Sequence, residues 1–174
     1  MNVWVHRRMV VIVLGVAFGL ALVFALSRAS SAASPNGNAP EPIVDSNIEE
    51  NLCDFRVLIE AEGKIKDIEK PDGSIISTAP GLTVTMTNLE EPDNQITVSD
   101  TAAWQFTPLA NGETLFVGRG QFFLFFDEDF TEELQQGIYL AIGRITWVED
   151  AEGNPDASTF RNDGQLIDVC ATLA

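Results

Sequence analysis

The sequence predicts a single all-β domain, an antiparallel β-barrel or β-sandwich of about eight or nine strands, and three observations carry that expectation. Apolar and polar residues alternate with period two, most strictly in Leu82-Thr83-Val84-Thr85-Met86-Thr87, the pattern of a strand with one buried and one wet face. Turn chemistry, including Asp72-Gly73 and Asn111-Gly112, recurs at intervals of roughly 8 to 15 residues. The only two cysteines, Cys53 and Cys170, fall at the two ends of the patterned region, so a bond between them would tie the first strand to the last.

In order, Phe55, Val57, Ile59 and Ala61 alternate with polar or mixed neighbours and start the first strand, with a bend expected at Gly63. Pro71-Asp72-Gly73 turns the chain into a return beginning at Ile75. After the Leu82–Thr87 strand, Pro92-Asp93-Asn94 leads into Ile96 and Val98, and Trp104 and Phe106 continue that parity to Pro108, which ends the strand or puts it on an edge. Asn111-Gly112 predicts a hairpin into Thr114–Val117. Gly118-Arg119-Gly120 predicts a bulge or bend before Phe122–Phe126, whose unbroken apolar run implies a strand covered on both faces or a wide exposure. Residues 127–136 carry the only helical expectation, a turn or two capped by Asp129 or Thr131 and stopped at Gly137. Ile138–Val148 reads as a long strand and Asp150–Asp156 as a polar loop. Asn162-Asp163-Gly164 then launches a final strand, Gln165–Leu173.

The organisation predicted is threefold. Residues 1–33 read as a signal peptide or N-terminal membrane anchor: His6, Arg7 and Arg8 precede the apolar run 9–26, and small residues follow through Ala33. Residues 34–51, rich in Pro, Gly and Asn, read as a flexible linker, and 52–174 as the β-domain. The chain is therefore expected to be secreted or extracytoplasmic, touching a membrane only through its N-terminal segment. All 26 acidic residues lie beyond Ala33 while Arg7, Arg8 and Arg28 do not, which leaves 7 basic residues and a net charge of −19 there. That balance excludes nucleic acid as a partner and suits a soluble extracellular surface.

The single histidine, His6, lies in the export segment. The β-domain thus has no imidazole for a catalytic triad or a zinc site, and with both cysteines bonded it has no thiolate nucleophile. A closed loop of about a hundred residues contributes on the order of 4 to 5 kcal/mol in the chain-entropy view. Carboxylates remain as the catalytic resource, and Glu60, Glu62, Asp100, Glu149 and Asp168 are candidates for a glycan-acting pair, although so acidic a chain produces such pairs on an ordinary solvated surface. Asp150, Glu152, Asn154 and Asp156 offer alternate oxygen ligands for Ca2+, but Pro155 stands where an EF-hand loop needs glycine and Arg161 where it needs glutamate. Arg144 and Asp168 are candidates for a buried ion pair that fixes strand register. Arg119 and Arg144, if both point into a barrel with Phe123 and Phe125, would suit an apolar ligand bearing a carboxylate.

The stretches Ala141-Ile142-Gly143-Arg144-Ile145-Thr146-Trp147-Val148, Asp150-Ala151-Glu152-Gly153-Asn154 and Gly164-Gln165-Leu166-Ile167-Asp168-Val169-Cys170-Ala171 carry a resemblance. Over roughly Cys53 to Ala174 the chain resembles a group of uncharacterised exported small β-domain proteins of high-GC Gram-positive bacteria. The resemblance implies a secreted single β-domain with a terminal disulfide and no activity. The expected function is a non-catalytic binding or interaction module meeting an extracellular protein, a glycan or a small apolar ligand. The alternatives are a carrier barrel and a carboxylate-dependent glycan-acting enzyme.

Overall fold

A computed structural model describes residues 39–131 and 134–174. The segment expected to be a signal peptide or membrane anchor, 1–33, including the apolar run 9–26, lies outside the described residues. Among the described residues nine strands form one antiparallel sheet: β1 (Glu41–Glu49), β2 (Val57–Glu69), β3 (Ile75–Thr78), β4 (Leu82–Asn88), β5 (Gln95–Asp100), β6 (Ala103–Pro108), β7 (Thr114–Phe126), β8 (Gly137–Glu149) and β9 (Pro155–Asp168). A short helix, α1 (Val169–Leu173), ends the chain. The hydrogen-bonded path runs β5-β4-β2-β3-β6-β7-β8-β9, with β1 added to β2, and it does not close on itself.

Sequential hairpins account for most of this order. β3 and β4 run one after the other along β2, with Thr78 opposite Lys66 and Thr83 opposite Glu62. β5 pairs with β4 and β6 with β3, so a single bent ribbon is continued around Ala79-Pro80-Gly81 and Thr101-Ala102. The sharpest constraint is a row of glycines in register across three strands, Gly120 opposite Gly143 opposite Gly164. A Cβ on Gly143 would sit 2.8 Å from the Gly164 Cα, and one on Gly164 would collide with the Ile142 carbonyl oxygen. Only glycine lets the backbones come that close.

On either side of the row the sheet buries different faces. Phe122, Phe123, Leu124, Phe125 and Phe126 are all buried, so this run is the doubly covered strand that its lack of alternation implied. They join Val57, Ile59, Val84, Met86, Ile138 and Leu140 in one apolar cluster, to which α1 adds Val169 and Leu173. Burying such side chains contributes about 1.5–3 kcal/mol each. α1 is held at its start by Asp168 Oδ1, which accepts from the Ala171 N–H at 2.9 Å, and at its end by the Asn88 amide, which donates to the Leu173 carbonyl at 3.0 Å.

Several boundaries differ from expectation. The segment expected as a linker, 34–51, contains β1, whose residues pair with β2 from Glu41–Ile65 to Glu49–Val57. Its backbone forms the ladder while its side chains bury little, with Val44 82% exposed, and Pro42 is tolerated on an edge. No helix forms in the described part of 127–136. Thr131 Oγ1 takes the Leu134 N–H and Asp129 Oδ1 takes the Gln136 N–H, so polar side chains close turns there instead. The final strand starts earlier than expected, at Pro155, runs through Asn162-Asp163-Gly164, and gives way to helix at Val169.

Cys53 and Cys170 are bonded across 117 residues. Cys53 precedes β2 and Cys170 sits in α1, so the bridge joins chain ends outside the ladder.

Candidate functional site

The expected ligand-binding set is not brought together around a cavity. Arg119 and Arg144 are cross-strand partners on β7 and β8, and both are exposed. Phe123 and Phe125, opposite Leu140 and Ile138, are packed in the core at 7% and 6% exposure.

The buried Arg144–Asp168 pair is likewise replaced. Arg144 faces Asp163 across the β8–β9 ladder and donates to its Oδ2 at 3.1 Å, with side-chain exposures of 45% and 66%. Asp168 lies opposite Tyr139 instead. Arg144 shares strand parity with the buried Ile138 and Leu140, but just past the glycine row its side chain is exposed, while Ile145 and Trp147 of the opposite parity are buried.

Among the proposed calcium ligands, Asp150 is committed to its own loop. Its carboxylate accepts from the backbone N–H groups of Glu152 and Asn154 at 3.0 and 2.8 Å and from the Asn154 side chain, which holds its pKa below the ordinary carboxylate value. Asp156 caps Ser158 in the same way, through both N–H and hydroxyl. These are side-chain-closed turns, and among the described residues no cluster of three acidic, Cys or His side chains gathers for a cation. The candidate catalytic carboxylates do not face one another in the ladders either: Glu60 opposes Thr85, Asp100 opposes Leu82, and Asp168 opposes Tyr139.

What the fold does build is a groove of about 800 Å³ beside β8 and β9, lined by Thr131, Leu134, Gln135, Tyr139, Ala157, Phe160, Asn162, Leu166 and Asp168. Antiparallel register explains much of the wall. Tyr139 opposes Asp168, Ala141 opposes Leu166 and Ile145 opposes Asn162, so Leu166, Asp168 and Asn162 share a face of β9. A register shift between Thr146 and Val148 brings in the first half of β9, which carries Ala157 and Phe160. The loop after β7 supplies Thr131, Leu134 and Gln135.

Behind the groove runs a continuous ribbon of rings. Phe106 meets Phe116 edge-on, Phe116 stacks on Trp147 at 3.7 Å, and Trp147 lies parallel to Phe160 at 6.5 Å. Phe160 meets Phe130 edge-on, and Phe130 stacks on Phe126, which in turn meets Tyr139. Aromatic pairs of this kind fix orientation as well as burying area, so the groove has a rigid back.

Its polar wall is made by Thr131, Gln135, Tyr139, Asn162 and Asp168. The Tyr139 hydroxyl donates to the Gln135 carbonyl at 3.1 Å. Burial pushes the Tyr139 pKa up, and the nearby charges of Asp168 and Asp129 add to that. Asp168 Oδ1 is used by α1, while no hydrogen bond among the described residues engages Oδ2.

Of these lining residues the sequence had singled out only Asp168 as a candidate site residue, and for a different role. Tyr139 carried a signal, being the only tyrosine in the chain and set between Ile138 and Leu140. Compared with known proteins, the chain matches no family model, no curated sequence and no solved structure.

Proposed function

We propose that this chain is an extracytoplasmic, non-catalytic binding module that holds a small ligand in the groove between β8, β9 and the loop after β7. The observation that carries the reading is the groove itself, a concave site in which the rings of Tyr139 and Phe160 stand among the polar side chains of Gln135, Asn162 and Asp168. The disulfide is consistent with an oxidising compartment, and the apolar run 9–26 and dense surface acid fit export. The absence of histidine beyond residue 6, both cysteines being bonded, and unpaired carboxylates favour binding over chemistry. The cluster that fills the centre with aromatic side chains leaves Arg119 and Arg144 outside, which disfavours the carrier of a carboxylate-bearing ligand.

Amide chemical-shift mapping of the exported protein against a library of small molecules and soluble glycans tests the reading. Saturable shifts at Tyr139, Phe160 and Leu166, with the ligand recovered unchanged, are expected. Shifts confined to other surfaces, turnover of the ligand, or no shift with any compound would overturn it.

A further inference from the structure

We infer that the ligand class of this groove is an organic ammonium ion carried on an apolar body, an inference that rests on the groove being a binding site. Charge is the first argument. Among the described residues Asp168 is the only charged one that lines the groove, and Asp129 is close enough to act on Tyr139. Of the arginines on β8 and β9, Arg144 is paired with Asp163, while Arg161 keeps its charge and is drawn to the backbone, donating to the carbonyls of Ser158 and Phe160 at 3.1 and 2.6 Å. A cation entering the groove meets the Asp168 carboxylate, which no ion pair among the described residues engages, whereas an anion is repelled by that same charge.

The second argument is the kind of surface that surrounds the carboxylate. Tyr139 and Phe160 present rings to the groove, and Leu134, Ala157 and Leu166 supply aliphatic wall. The Tyr139 hydroxyl gives its proton to the Gln135 carbonyl, so toward a ligand the tyrosine offers its ring and an acceptor oxygen rather than a donor. A ring face and a carboxylate together recognise an alkylated ammonium, whose charge is spread over methyl or methylene groups that also need apolar contact. A polyhydroxylated ligand would draw on the side-chain amides of Gln135 and Asn162, so neutral oligosaccharides are the competing probe.

The test uses the exported protein and a matched set of probes: choline, tetramethylammonium and benzyltrimethylammonium, the neutral choline isostere 3,3-dimethylbutan-1-ol, benzoate, and neutral oligosaccharides. Titration calorimetry and amide shifts read the outcome. The cations should bind about tenfold or more tightly than the isostere, weaken with added salt, and shift Tyr139, Phe160 and Leu166. Asp168→Asn keeps an acceptor for the Ala171 N–H and so keeps α1 capped, and it should weaken cation binding about tenfold. Phe160→Leu should lower affinity for the methylated ammonium while leaving that for the isostere little changed. Equal binding of cation and isostere, cation binding indifferent to Asp168→Asn, or saccharide or benzoate binding in the groove without cation binding would overturn the ammonium assignment and leave the binding-module reading standing. Failure of every probe and every library compound to shift the groove would end both.

Discussion

Asp100 sits at the bend between β5 and β6, 5% exposed and opposite the buried Leu82, with its Oδ1 accepting from the Ala102 N–H at 3.1 Å. Burial raises its pKa and the Ala102 N–H lowers it, the net result being a rise from 3.8 to about 6. The folded state therefore prefers the protonated carboxyl. The stabilising contribution of that proton is complete below about pH 4 and is lost as the pH climbs through about 6, where the unfolded chain is already ionised and the native one becomes so. Holding the carboxyl at about 6 rather than 3.8 corresponds to about 3 kcal/mol at pH 8. Asp100→Asn removes the charge and keeps the acceptor for Ala102. Relative to the parent protein, the variant should become more stable by about 3 kcal/mol between about pH 3.5 and pH 8, whatever constant cost the amide imposes. Urea unfolding of both proteins at the two pH values, with unchanged denaturant slopes, measures this difference of differences. A value flat to within about 0.5 kcal/mol would show that Asp100 is not held in a desolvated site at this bend.

Further outcomes follow from other contacts. Replacing Cys53 and Cys170 together by serine should cost roughly 3–5 kcal/mol, read as a lower urea midpoint, because the closed loop spans 117 residues. Gly164→Ala should destabilise by at least about 1–3 kcal/mol, measured the same way, since its Cβ collides with backbone rather than with a side chain that can swing away. Asp163→Ala should change stability by less than about 0.5 kcal/mol, as its pairing with Arg144 is exposed to solvent. Glu149 shares the sign of Asp100, burial raising its pKa against the Trp147 indole N–H, so Glu149→Gln should also gain relative stability as the pH rises.

Period-two alternation made the strands legible because each inward side chain is stabilised individually by burial, and Leu82–Thr87 fits no other element. The same reasoning misplaced Arg144. Parity identifies which residues share a face, but not where that face stops being covered, and the change occurs at a glycine row visible only once strands are in register. β1 was hidden for the converse reason: edge pairing uses backbone groups, which composition does not report. The end of β9 failed on capping, where Asp168 could be read equally as a strand residue or as the N-cap it is. The groove was least legible. Its lining comes from two strands, a register shift and a loop, and of those residues Asp168 was singled out for an ion pair it does not make, while Tyr139 stood apart only as the lone tyrosine.

The position of the disulfide has a mechanical consequence. Tension arriving from residues before Cys53 and leaving after Cys170 passes through the sulfur–sulfur bond and bypasses β2 through β9 altogether. Of the described strands only β1 lies in the loaded path, and it can be peeled from β2 one backbone pair at a time. While the bond is intact the domain behaves as a short inextensible link; once it is reduced, the 117 residues it encloses become about 400 Å of extensible chain.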